Sequence, residues 1–145
     1  MPELNADILR HENVAAPLPA WTDRIPDEVK VLLREIYASK ALGSRALPAM
    51  GIRAAIDLVS VKIIGKDLGA FPVKLKRLLD DQHLTRTQHE ALSAVVDAGS
   101  AAAHRGFVPD ADSLESMLDA LNHLLQSVYS LKQSANELRE KTPPR

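Results

Sequence analysis

Met117, Leu121, Leu124, Val128, Leu131, Ala135 and Leu138 follow one another at alternating spacings of four and three residues. An α-helix gathers such positions onto one stripe, so the C-terminal part of this 145-residue chain is expected to be helical. Leu114, Leu118 and Leu125 widen the stripe beyond two positions per heptad. The helix therefore faces a core or a second copy rather than forming a free coiled coil. Asp112-Ser113-Leu114-Glu115 offers a capping pattern at its start. Unbroken to Leu138, it would be roughly 40 Å long at about 1.5 Å per residue.

The rest of the chain reads as helices too. A first helix begins at Pro26, with Asp27 and Glu28 complementing its dipole and Val29, Leu32, Leu33, Ile36 and Tyr37 forming its apolar stripe. Gly43 and Ser44 end it. A second, over 46–66, carries Ile52, Ala55, Ile56, Val59, Ile63 and Ile64 on one side. Its small residues Ala49, Gly51, Ala54 and Ala55 would admit a close neighbour, and Gly65 supplies a left-handed cap. A short third helix over 72–81 carries Leu75, Leu78 and Leu79. Thr85-Arg86-Thr87-Gln88 is a capping box for a fourth, which runs through Leu92, Val95 and Val96 to His104 and stops at Gly106 and Pro109. No segment alternates as a strand requires, and nothing repeats. The organisation expected is an extended arm over 1–25 pinned by Leu18 and Trp21, one helical domain over 26–138, and a flexible tail over 139–145.

Composition narrows function. Apolar residues make up 46% of the chain and aromatics only 3%, so the core is built from Leu, Val, Ile and Ala, which favours helices. Eighteen basic against nineteen acidic residues leave a net charge of −1, too little for a global field that holds nucleic acid or an anionic membrane. No apolar run approaches the length of a membrane span, and Met1-Pro2-Glu3-Leu4-Asn5 does not begin a signal peptide. The absence of Cys removes thiolate metal sites and thiol nucleophiles and suits a reducing, cytoplasmic location.

Familiar catalytic motifs are missing: there is no phosphate-binding glycine loop and no serine elbow. His89-Glu90 lacks the second His of a zincin, and His11, His83, His89, His104 and His123 are scattered, so neither a metal nor another cofactor is expected. Lys62, Lys66, Lys74, Lys76 and Arg77 form a basic stretch opposed within its span only by Asp67, a candidate phosphate or nucleic-acid contact. Phe71 is its only aromatic, which leaves no stacking platform for bases. Gly99-Ser100-Ala101-Ala102-Ala103-His104-Arg105-Gly106 ends a helix of very small residues on a histidine. Small residues explain close packing, but they do not explain His104.

Tyr37-Ala38-Ser39-Lys40-Ala41, Gly51 to Asp57, and Gly99 to His104 together resemble the prokaryotic domain of unknown function 4145, grouped with the HEPN superfamily. Arg53 with Asp57 four residues on matches one part of the family pattern, and Gly99 with His104 matches another; the likeness spans about 26 to 130. The resemblance implies an all-α, HEPN-like up-and-down bundle of four to five helices that often dimerises, found beside restriction, defence or RNA-processing functions. Active HEPN members are metal-independent ribonucleases with an arginine four to six residues from a histidine. Here Asp97, Ala98 and Gly99 stand where that arginine would be, and Ser100 stands where asparagine is usual.

Three functional expectations follow. The preferred one is a non-catalytic HEPN-like module that forms a homodimer or contacts a larger nucleic-acid-processing or defence protein, with the broad apolar face of 114–138 as its interface. The alternative is a HEPN-type ribonuclease or toxin acting on RNA, with His104 as general acid or base, Arg53 and Arg105 holding phosphate, and Asp57 converging with them in one open cleft. In the third, Asp57 and His104 are a buried structural pair.

Overall fold

The computed structural model describes residues 18–145, and everything below concerns those residues. Six α-helices form, with no strand among the described residues: α1 (Asp27–Ala41), α2 (Ala46–Ile64), α3 (Phe71–Asp80), α4 (Arg86–His104), α5 (Ala111–Tyr129) and α6 (Leu131–Lys141). The all-helical expectation holds. The sixth helix arises because Ser130 divides the long C-terminal helix expected from the heptads.

α2 is the centre, packing against α1, α3, α4 and α5. Its sequence is apolar around most of its circumference, which suits a helix covered on several sides. Ile52, Ala55, Ile56 and Val59 are fully buried in it. Ser60 is buried as well, and its hydroxyl is satisfied by donating to the Ile56 carbonyl at 2.7 Å. Gly51 meets α1 at close quarters: a Cβ there would stand 2.7 Å from Cγ1 of Ile36. The small residues of α2 thus set how near its neighbours lie.

Local chemistry fixes most boundaries. Pro26 caps α1, and Thr85 completes the capping box of α4: its Oγ1 accepts from Gln88 N at 3.1 Å, and Gln88 Oε1 accepts from Thr85 N at 2.8 Å. α2 ends at Ile64 with Gly65 at φ +87°, and beyond α4 the chain turns at Gly106 (φ +67°), where Phe107 N donates back to Ala101 O at 3.2 Å. α5 starts two residues earlier than Asp112 implies, because Asp110 is the cap and accepts from Ser113 N at 2.7 Å. Asn122 Nδ2 donates to Tyr37 Oη at 3.0 Å, and Lys40 pairs with Glu115, so α1 and α5 are braced together.

At the N-terminal side, the part of the expected arm over 1–17 lies outside the described residues. Ala20–Arg24 is a 3-10 turn, not an extended strand of chain, and Leu18 and Trp21 do pack on the core. The expected tail is shorter than 139–145, since α6 runs to Lys141.

The heptad stripe divides into two fates. Leu114, Met117, Leu118, Leu121, Leu124 and Leu125 are all buried. Beyond the break, Leu131 is 61% exposed, Leu138 is 66% exposed, and α6 buries no residue. Ser130 (φ −121°, ψ −49°) bends the chain while Ser134 N still donates to its carbonyl at 2.9 Å. Arg24 holds α6 in place, donating to Ser134 Oγ at 2.8 Å and to the Glu137 carboxylate at 2.9 and 3.1 Å. Half of the pattern is core, and half is surface.

Candidate functional site

Where α2 crosses α4, Gly99 lies against Arg53. A Cβ on Gly99 would fall 2.6 Å from Cβ of Arg53 and 3.0 Å from the Ala49 carbonyl oxygen, so only glycine lets the Arg53 side chain pass along α4. Arg53 then runs into an open cleft of about 700 Å³. α3 forms one wall with Phe71, Pro72, Leu75 and Leu79, with Lys76 at its edge; α4 forms the other with His89, Ser93, Val96, Asp97 and Ser100. The guanidinium carbon lies 5.1 Å from the centroid of the Phe71 ring, a cation–π contact. Arg53 Nε is buried and has no hydrogen-bond partner among the described residues. Arg53 makes no ion pair among the described residues.

The other expected catalytic residues lie elsewhere. Asp57, one turn beyond Arg53, is bound to Lys74 at 2.6 Å. His104 is the last residue of α4 and Arg105 its cap; both are exposed, and neither lines the cleft. Arg53, Asp57 and His104 therefore do not converge in one cleft. The buried Asp57–His104 pair is also overturned, because His104 is exposed and the partner of Asp57 is a lysine. Both share one cause: the carboxylate four residues after Arg53 points to α3, whereas His104 sits at the far end of α4.

The basic stretch is largely neutralised. Lys62 pairs with Glu28 at 2.5 Å, Lys76 with Asp80 at 3.2 Å and Arg77 with Asp81 at 2.7 Å. Lys74 is only 2% exposed and sits between Asp57 and Asp67, with its ammonium 5.6 Å from the Phe71 ring centroid. Lys66 is exposed, and no carboxylate among the described residues pairs with it. Apart from Asp67, the carboxylates that oppose the stretch lie outside its span, in α1, in α2 and around the end of α3, which is why the sequence read it as basic. A continuous phosphate-binding face is not formed.

Lys74 and Asp67 give the site a pH signature. Burial pulls the Lys74 pKa down, but hydrogen bonds to Asp57 and Asp67 outweigh it and leave it raised. The hydrogen bond from Lys74, and that from the Gly69 amide, hold the Asp67 carboxyl below its ordinary 3.8. A depressed carboxyl contributes stability that is full above its unfolded pKa and lost as pH falls through the folded one. The raised lysine behaves oppositely, losing its share as pH rises through its folded pKa above 10.5. Thermal melts of the wild type should therefore decline below about pH 4, and Asp67→Asn should remove part of that decline. Identical acid limbs in the two proteins would refute this role for Asp67.

The sequence reading missed the cleft wall on α4. His89, Ser93, Asp97 and Ser100 recur at spacings of four, four and three, a polar stripe beside the apolar Leu92, Val95, Val96 and Gly99. That spacing was visible, but a polar helix face usually meets only solvent. Ser93 is not set up as a nucleophile, since its hydroxyl donates to the His89 carbonyl at 2.8 Å. No group of three His, Asp or Glu side chains is placed to hold a metal among the described residues.

Fold and site define an all-helical domain built around a central helix whose one arginine enters a half-open cleft. Residues 34–141, from within α1 to the end of α6, match the family described as domain of unknown function DUF4145, and the chain belongs to that family. No curated protein and no solved structure matches the chain.

Proposed function

We infer that the domain is a non-catalytic interaction module of HEPN type, which self-associates through α6 and serves a nucleic-acid-processing or defence system. The observation that carries this is the unpartnered half of the heptad stripe. Along α6, Leu131 and Leu138 take the d positions and Ala135 the a position between them, whereas Val128 lies before the break and packs on the core. Leucine at d suits a two-stranded seam, and Ala135 at a lets the axes come close. Charge selects a parallel pairing: there Ser134 at g would face Arg139 at e of the other copy, and Lys132 would stay clear of it. An antiparallel pair would set those cations against each other. One short helix buries less than a standard interface, so the dimer should be weak and concentration-dependent.

Light scattering across a concentration series tests this. The mass should rise from 15.8 kDa towards twice that value, and Leu131→Asp with Leu138→Asp should hold it at the monomer. A wild type that stays monomeric throughout would sink the reading.

One observation favours a second reading. His104 and Arg105 are both open to solvent at the end of α4, so two copies of the pair could be brought together by a partner chain. On our account, purified protein leaves RNA intact in the presence of chelator, and His104→Ala changes nothing. Cleavage that His104→Ala abolishes would replace the interaction module with a ribonuclease.

A further inference from the structure

The cleft between α3 and α4 has the size of a small-molecule site, and its contents differ from an ordinary surface furrow. One wall is carbon: Phe71, Leu75 and Leu79. The facing edge, from α4, carries Asp97 and Ser100. Between them stands Arg53, stacked on Phe71 and buried at Nε without a hydrogen-bond partner among the described residues, while Lys76 at the edge is already paired with Asp80. A buried donor left unsatisfied is costly, and a fold with Asp97 on the same cleft could have closed it with an internal ion pair. No such pair joins Arg53 to Asp97. The bare backbone at Gly99 is what admits the arginine.

We propose that this cleft binds a small amphipathic carboxylate, its apolar body against Phe71, Leu75 and Leu79 and its carboxylate on the Arg53 guanidinium. The planar guanidinium matches a carboxylate in shape. Asp97 sets the charge limit: one unpaired arginine with a carboxylate nearby, and with Lys76 engaged by Asp80, accepts a monoanion better than a doubly charged phosphate ester. The site does not depend on α6 or on self-association, so it stands or falls separately from the function proposed above.

Octanoate titrated into the full-length ¹⁵N-labelled protein tests it, with octanol and octyl phosphate as comparison probes. Octanoate should shift the amides of Ser93, Val96 and Ser100 saturably, and octanol should bind roughly tenfold more weakly or worse. Arg53→Met should weaken octanoate by a similar factor. Since Arg53 also packs against Gly99, Asp97→Asn provides a variant at an exposed position; it should tighten octanoate by about threefold through loss of a like charge. The proposal is overturned if octanoate produces no saturable shift, if octanol binds equally well, or if Asp97→Asn weakens binding. Tighter binding of octyl phosphate than of octanoate would overturn the carboxylate assignment.

Discussion

Leu121→Ala should destabilise the protein by about 2–5 kcal/mol, whereas Leu138→Ala, in the same heptad stripe, should change the stability of the monomer by no more than about 0.5 kcal/mol. Leu121 is fully buried on α5 among Leu118, Leu124 and Leu125, so truncation removes apolar contacts and leaves a cavity that the surrounding helices only partly fill. Leu138 is 66% exposed on α6 and has no core to lose. Chemical denaturation at low protein concentration, where self-association is absent, separates the two. Equal costs would mean that α6 is packed on the body and that its stripe is not a free surface.

Gly99→Val should cost about 2–3 kcal/mol and lower the melting temperature by on the order of 10 °C. The effect runs against intrinsic preference, since replacing glycine inside a helix gains up to about 1 kcal/mol when nothing else changes. Here the new Cβ meets Arg53 Cβ at 2.6 Å and the Ala49 carbonyl at 3.0 Å, and the second contact is backbone. Relief requires α2 and α4 to separate along the crossing that holds the core together. Gly99→Ala isolates the collision from the added branches and should destabilise less. A variant at Gly99 more stable than the wild type would show that the crossing is looser than its contacts imply.

The same crossing shows how far the sequence could be read. Helix boundaries were legible because they rest on local chemistry: the Thr85–Gln88 box, the left-handed Gly65 and Pro26 each act within a few residues. The small residues of α2 signalled a close neighbour, but not which helix came close. Gly51 receives Ile36 of α1, and Ala49 and Arg53 receive Gly99 of α4. The break at Ser130 was hidden because the heptad period continues through it unchanged. Nothing local marks it; the long-range bonds from Arg24 to Ser134 and Glu137 hold α6 at its angle.

Charge was the least legible quantity. Lys62, Lys74, Lys76 and Arg77 form a run in sequence, yet Glu28, Asp57, Asp80 and Asp81 reach them from neighbouring turns and helices. Asp57 was paired on paper with His104 because both belong to recognisable short motifs. In the fold it serves Lys74, whose buried ammonium requires carboxylates near it. Motif letters identified the family, and packing decided what each letter does.

The most direct test of α6 as a self-association surface uses the absence of cysteine from the chain. In a parallel pair the two Leu138 positions meet across the axis, whereas Glu140 points away from the stripe. Leu138→Cys and Glu140→Cys, each the only thiol in its variant, would be oxidised at equal concentration and resolved on a non-reducing gel. The account predicts a covalent dimer for Leu138→Cys and a monomer for Glu140→Cys. A monomer for both, or equal cross-linking of both, would contradict it.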